Sequence, residues 1–421
     1  MKNNKFALKG TFIYSENRET LALREEEYLL VSNGVVEGFS SEKPVDMPVY
    51  DYSGKIIIPG MYDLHTHASQ FAYRGLGMDM ELLEWLYANA FPEEAKFEDL
   101  DYAEKAYEIF VNQLVKSPTA GACVFAEIHE ASTLLLMEKL EKSGLQAYVG
   151  KVNMDRDCPD YIRETTEGSL AVTESWIEKS KGFKNVKPVI TPRFIPSCTD
   201  ELMTGLSALR EKYGLSVQSH LSENPDEIEL VKKLCPESES YIDAYRLSGI
   251  IGKNHKTVMA HCVYSDSEDE IRLLKENNIF IAHCPQCNAN VMSGIAPVRK
   301  YIEAGLDMGL GTDCAGGASL SMFREMTDAI QASKLYWRLV DKNSKPLTFP
   351  EAFYLATEGG GRFFGNCGSF KKGYTFSAVA LNEENLETTR SLNPFERLER
   401  LIYLSDGRNI EAKFVANRKI I

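Results

Sequence analysis

Eight short apolar runs, each followed by an amphipathic stretch, constrain this chain more than any other feature. They are IIIPGMYDLHTH (56–67), GACVFAE (121–127), LQAYVGKVNMD (145–155), KPVITPRF (187–194), LSVQSHLSE (215–223), TVMAHCVY (257–264), IFIAHCP (279–285) and DMGLGTD (307–313). Such a run, bounded by turn residues and followed by a helix-like segment, is the sequence form of a buried parallel strand, so the alternation predicts βα units around a parallel sheet. His65 and Asp313 lie 248 residues apart over seven intervals, about 35 residues per unit, in keeping with the length of a βα repeat. Eight units close a (β/α)8 TIM-type barrel, and that α/β architecture is the predicted fold class.

Several helix ends are written into the intervening stretches. Ser265 and Glu268 are spaced as a capping box opening EDEIRLLKENN, while Gly144 and Gly214 follow EKLEKS and ALREKY as helix terminators. The connection after the first run is too long for a simple loop. Within residues 71–100, RGLGMDMELLEWLYANAFPEE reads as a helical excursion over the barrel mouth.

The two chain ends read differently from the middle. FALKGTFIY, TLALREEEYLLV and VVEGF predict strands, with Asn33-Gly34 as a type I′ hairpin turn. FSAVAL, LIYLSDGRNI and AKFVA read alike, with Asp406-Gly407 as a second hairpin turn. Neither end has enough strands for its own core. Residues 1–58 and 370–421 are therefore expected to pair into one small β-sandwich domain, with the termini close together, around a catalytic barrel of residues 59–369.

With 61 acidic against 47 basic residues the net charge is −14, which argues against a nucleic-acid or anionic-membrane partner and favours a small-molecule ligand. No stretch approaches the ~18 consecutive apolar residues of a membrane helix. The opening MKNNKFALKG lacks the apolar core of a signal peptide, and nine irregularly spaced cysteines suit a reducing compartment, so a soluble cytoplasmic protein is expected.

Polar residues are costly in a buried barrel strand and usually sit at its C-terminal end, where the strand opens onto the active-site face. His65 and His67 end the first run, Arg193 the fourth, His220 and Glu223 the fifth, His261 the sixth, His283 the seventh and Asp313 the eighth; His129 and His255 stand apart. Alternate strand residues share a face, so His65 and His67 project together into the mouth, spaced to grip one ion. With His220 and Asp313 they offer imidazole nitrogen and carboxylate oxygen, a donor set for zinc, with iron the alternative, that leaves a position for water. Taken singly, each is more often a satisfied core histidine or an N-capping aspartate; their joint placement favours a catalytic metal centre. Other motifs are weaker. Cys284-x-x-Cys287 has no second pair, the His-x-Glu with Pro-Cys-x-x-Cys pattern of cytidine-type deaminases is absent, and GLGTDCAGG lacks the Lys-Ser/Thr of a phosphate cradle.

PGMYDLHTH, QSHLSEN, MAHCVY, IAHCP and GLGTD resemble the amidohydrolase superfamily, whose fold is a metal-bearing (β/α)8 barrel with a small β-domain built from both chain ends. HTHASQFAYRG, LLEWLYANAFPEE, PRFIPSC, SHLSEN and GTDCAGG are similar to its guanine-deaminating branch, and the likeness spans nearly the whole chain. One departure is Cys287 in HCPQCN, where the family more often has serine. The resemblance implies metal ligands His65, His67, His220 and Asp313, with Glu223 as proton shuttle, Asp313 as a second base and His261 beside the water held by the metal. It also implies substrate contacts from Gln70, Arg193, Phe194, His220 and Glu223, one Zn2+ per chain with Fe2+ the alternative, and a homodimer. Superfamily members with two metals commonly use a carboxylated lysine at the end of the fourth strand. Here Lys187 opens that run and Arg193-Phe194 close it, so one metal is expected.

The implied reaction is attack of water on C2 of guanine, giving xanthine and ammonia. A metal ion brings the pKa of its water toward ~7. Glu223 then carries a proton to the ring nitrogen beside C2, and His261 orients the water or stabilises charge as C2 becomes tetrahedral. Arg193, a donor with no acceptor, suits the C6 carbonyl of guanine and opposes the C6 amine of adenine; Gln70 donates and accepts along the ring edge and Phe194 packs on the base. Rivals within the fold are deaminases or hydrolases of adenosine derivatives, pterins, cytosine or triazines. A rival of another class is a catalytically silent scaffold barrel, against which the full ligand set and Glu223 argue.

Overall fold

The computed structural model describes residues 5–421. Residues 1–4, which belong to the stretch read as lacking a signal peptide and to the expected end domain, lie outside the described residues.

Four strands come first: β1 (Lys5–Ser15), β2 (Leu21–Ser32), β3 (Val35–Ser40) and β4 (Val49–Pro59). Then follow β5 (Met61–His67), β6 (Thr119–Phe125), β7 (Gln146–Gly150), β8 (Val152–Asn153), β9 (Val186–Pro188), β10 (Thr191–Pro192), β11 (Val217–Leu221), β12 (Thr257–His261), β13 (Ile279–His283) and β14 (Asp307–Leu310). The chain closes with β15 (Ser377–Leu381), β16 (Ile410–Val415) and β17 (Arg418–Lys419). All eight apolar runs carry strand, the first, third and fourth each divided between two.

The middle strands form two parallel four-stranded sheets, β5-β6-β7-β9 and β11-β12-β13-β14, with β8 and β10 paired beyond the first. Helices separate consecutive runs, including Glu130–Ser143, Thr166–Ser180, Asp200–Tyr213, Pro225–Leu234 and Glu268–Glu276. Every residue of β5, β6, β12 and β13 is buried, as parallel strands covered on both faces require. Backbone bonds join the two sheets at both seams. At one, Ile190 bridges Val217 and Gln218 N–H donates to Ile190 O at 2.9 Å. At the other, Asp313 N–H donates to His65 O at 2.8 Å, and the buried Asp63 carboxylate accepts from the His65 and Thr312 amides at 3.1 and 3.0 Å.

The two chain ends do share a sheet. It is mixed and seven-stranded, in the order β17-β16-β15-β4-β1-β2-β3, with β4 and β15 as the antiparallel pair that joins N-terminal to C-terminal strands. Asn33 and Gly34 both have positive φ, 51° and 77°, the backbone of the expected type I′ turn between β2 and β3. Lys413, wholly buried in β16, donates to the carbonyls of Leu114, Ser117 and Thr119 and ties this sheet to the first βα unit.

Four local expectations are corrected. LIYL is not strand but the last turn of a helix, Pro394–Leu404, because PFERLERLIYL places Leu398, Leu401 and Ile402 on one buried face and Asn393 with Glu396 caps its start. Asp406-Gly407 is consequently no hairpin turn; Asp406 caps a 3-10 turn, Gly407–Asn409, and the tight turn after β16 carries Ala416 at φ 51°. The capping box opening Glu268–Glu276 is Ser267 with Glu270, two residues beyond Ser265 and Glu268, since Ser265 is still buried in the preceding loop. Finally, Ile56–Pro59 of the first run belong to β4 in the end sheet. The chain passes to β5 through Gly60, where a Cβ would meet that of Ala120 at 2.4 Å.

Candidate active site

The polar strand ends converge as expected. His65 and His67 close β5, Arg193 follows β10, His220 lies in β11 with Glu223 just beyond it, His261 closes β12 and Asp313 follows β14. All lie in the interior, and only His220 is more than marginally accessible. Local backbone turns these side chains out of the strand line: Ser222, His261 and Asp313 have φ of 48°, 73° and 42°, a left-handed conformation uncommon away from glycine and concentrated at functional sites. Glu223 is further fixed by SENPDE. Asn224 caps the helix Pro225–Leu234, Pro225 occupies its first turn, and Glu227 Oε2 accepts from the Glu223 amide at 2.9 Å.

His65 Nε2 lies 3.1 Å and His67 Nε2 3.5 Å from Asp313 Oδ1, and His67 Nε2 lies 3.3 Å from His220 Nε2. His65, His67 and Asp313 thus present one ligand atom each within 4.8 Å of one another, as do His65, His220 and His261. Neither ring nitrogen of His65 has a hydrogen-bond partner, although both are buried. His220 Nδ1–H donates to Arg193 O at 2.6 Å, which sets its tautomer and turns the Nε2 lone pair to the cluster. Buried imidazole nitrogens from three histidines converging with a carboxylate on one point fit a divalent cation.

Electrostatics accord with that arrangement. Burial, then His65, hold the His67 and His220 imidazoles well below the usual histidine range. For Asp313 burial opposes ionisation, but His65, His261 and His67 outweigh it and keep the carboxyl well below its ordinary value. Burial and the Asp313 carboxylate push Glu223 up to about 8, against the hydrogen bonds it accepts from Ser293 Oγ at 3.1 Å and Cys287 Sγ at 3.8 Å. Its other oxygen, Oε2, lies 3.2 Å from His261 Nε2, while His261 Nδ1 pairs with Asn288 Oδ1 at 2.9 Å. His283 is buried and lines no part of the cavity.

These groups open onto one pocket with about 410 Å³ of empty space, part of it open to solvent. Its floor is His67, His220, Glu223, His261 and Asp313, with Cys287 beside Glu223. Gln70, Arg193 and Phe194 form one flank, and Leu82, Trp85 and Leu86 from the excursion form the apolar cover. Lys187 is exposed and plays no part in it.

One expectation about Arg193 changes here. Its terminal nitrogens are not free: Nη1 and Nη2 donate to Glu94 Oε2 and Oε1 at 2.6 and 3.1 Å, and the guanidinium lies 4.9 Å from the Phe91 ring centroid. Glu94 Oε1 also accepts from Gln70 Nε2 at 2.9 Å. The sequence reading missed Glu94, Cys287 as a pocket residue and Ser293. Only FPEE, two carboxylates within an apolar insertion, hinted at the first, and adjacent Glu93 and Glu94 cannot be told apart from spacing.

Against known proteins, the model of the Amidohydrolase family matches residues 56–417. The chain is 39% identical over 415 residues to guanine deaminase of Dictyostelium discoideum, covering 96% of this chain and 90% of the relative. It is 33% identical to guanine deaminase of Escherichia coli K12, covering 98% and 97%. The solved structure of guanine deaminase from C. acetobutylicum with guanine bound in the active site superposes with a TM-score of 0.96 at 46% identity, covering 99% of this chain and 100% of that one.

Proposed function

The chain belongs to the amidohydrolase family and, within it, to the guanine deaminases; from that premise we propose that it hydrolyses guanine to xanthine and ammonia at the cavity between β5, β11, β12 and β14. The observation that carries this is the opening of the His/Asp cluster and the Gln70–Arg193 flank onto the same small cavity, one side suited to activating water and the other to reading a purine edge.

We assign His65, His67, His220 and Asp313 as ligands to one divalent ion per chain, Zn2+ with Fe2+ the alternative. When bound there, the ion supplies an acidified water near neutral pH. Glu223, held at Oε1 by Ser293 and Cys287, takes a proton from the water and delivers it to the ring nitrogen beside C2. Its elevated pKa suits a group that both accepts and returns a proton near pH 7. His261, within 3.5 Å of both carboxylates, orients the water and supports charge as C2 becomes tetrahedral. Asp313 serves as second base when ammonia departs. Arg193 addresses the C6 carbonyl, Gln70 the ring edge and Phe194 the base face, while the apolar cover excludes bulk water.

Two further readings accompany it. The two parallel sheets, hydrogen-bonded at both seams, support a closed (β/α)8 barrel over residues 59–369, with residues 1–58 and 370–421 as the β-domain whose strands enclose Phe6, Phe12, Phe376 and Phe414. Nine free, buried thiols support a cytoplasmic enzyme, and no described helix is long and apolar enough to cross a membrane; the homodimer is carried by family resemblance. The test is incubation with guanine, following loss of its absorbance and formation of xanthine and ammonia. Metal-loaded protein that forms neither refutes the assignment.

A further inference from the structure

We propose that Glu94, on the insertion between β5 and β6, sets which purine edge the pocket accepts, by fixing the donors of Arg193 and the amide orientation of Gln70. This rests on the pocket being the guanine site.

Glu94 is 2% exposed and carried by the helix Phe91–Glu94, so its carboxylate is a buried charge that needs partners. It has three donors: Arg193 Nη1, Arg193 Nη2 and Gln70 Nε2. A guanidinium is planar with five N–H groups in fixed directions, so a two-point fork on Glu94 determines where the remaining hydrogens point. Nη1 also contacts Met154 Sδ at 3.8 Å, and Arg193 lines the cavity with no hydrogen bond from its Nε–H to the described residues. The pair is formally neutral, which favours an uncharged base presenting an acceptor over an anionic ligand.

Gln70 is fixed by the same oxygen. A carboxylate only accepts, so the Gln70 amide nitrogen must face Glu94, and its Oε1 then accepts from the Ala315 amide at 3.4 Å. Without Glu94 the side chain could turn over and exchange donor for acceptor along the ring edge. Because the insertion also brings Leu82, Trp85 and Leu86, cover and edge recognition are delivered by one segment. Glu94 is thus a positioning residue that acts through Arg193 and Gln70.

The test compares kcat and KM for guanine and for 2-aminopurine, which keeps the C2 amine but carries hydrogen at C6, in wild type, Glu94→Gln, Arg193→Met and the double variant, with metal content measured throughout. In Glu94→Gln the guanine over 2-aminopurine ratio of kcat/KM is expected to fall about tenfold or more, chiefly through a raised KM for guanine, with metal retained. The double variant should discriminate no worse than Arg193→Met alone, because both substitutions remove one device. The ratio does not depend on the fraction of active protein, so partial misfolding leaves it readable. A ratio within about twofold of wild type, or two losses that multiply, overturns the role of Glu94. Wild type that releases no ammonia from guanine overturns the functional reading instead.

Discussion

Glu223→Gln separates chemistry from metal binding and from architecture. In the structure Glu223 Oε1 accepts from Ser293 and Cys287, and Oε2 lies 3.2 Å from His261 Nε2. Glutamine has the same length, and its carbonyl oxygen can keep both acceptor contacts while its amide nitrogen faces His261, so the cavity should keep its shape. What is lost is a group able to take up and return a proton. General acid–base groups contribute roughly 10²- to 10⁴-fold, or about 3–5 kcal/mol of barrier, and kcat should fall by that amount while metal content stays at the wild-type level. Since burial and Asp313 already disfavour charge on Glu223, a neutral amide of the same shape removes little that stabilises the fold, and the thermal midpoint should barely move. The assay is guanine turnover with metal analysis and thermal unfolding on the same preparation. Turnover within about threefold of wild type would refute the shuttle role, and loss of metal together with activity would make Glu223 a ligand.

Three other outcomes are expected. His65→Ala or Asp313→Ala should abolish both metal binding and activity with the strands intact; two tightly held ions per chain, or full activity after chelation, would rule out the single-ion site. Arg193→Met should leave Glu94 a buried carboxylate without its cation and held by Gln70 alone, costing about 3–5 kcal/mol of stability and lowering guanine kcat/KM about 10- to 100-fold with metal retained, and wild type should disfavour adenine by about 10⁴-fold. Full guanine activity in that variant contradicts the assignment. Burial raises Glu127 from 4.5 to about 8 despite the Ser132 hydroxyl and His129 amide, so the stability this group confers is complete below pH 4.5 and lost as pH rises through about 8. Urea unfolding near pH 5 and pH 9 should show wild type losing on the order of a few kcal/mol relative to Glu127→Gln, and parallel profiles would contradict it.

The sequence by itself determined the strands and the chemistry at their ends. Eight apolar runs identify buried parallel strands because each must be apolar on both faces, and a histidine or aspartate at the end of such a run is placed to face the mouth, although His283 shows that not every one lines the cavity. His65, His67, His220, His261 and Asp313 were legible for that reason. The hairpin at Asn33-Gly34 was legible because two consecutive positive φ angles demand those residue types. Short apolar segments at the chain ends were not: LIYL alone has the composition of a strand, and it is helix because the preceding PFERLER opens with an Asn393–Glu396 cap and sets Leu398, Leu401 and Ile402 on one buried face. The Arg193–Glu94–Gln70 network was decided by tertiary structure alone. Arg193 and Glu94 are 99 residues apart, and nothing local marks which carboxylate of FPEE turns inward. A strand's own pattern fixes what it buries, but a buried charge finds its partner only where distant segments meet, and there its desolvation cost selects the fold that pairs it.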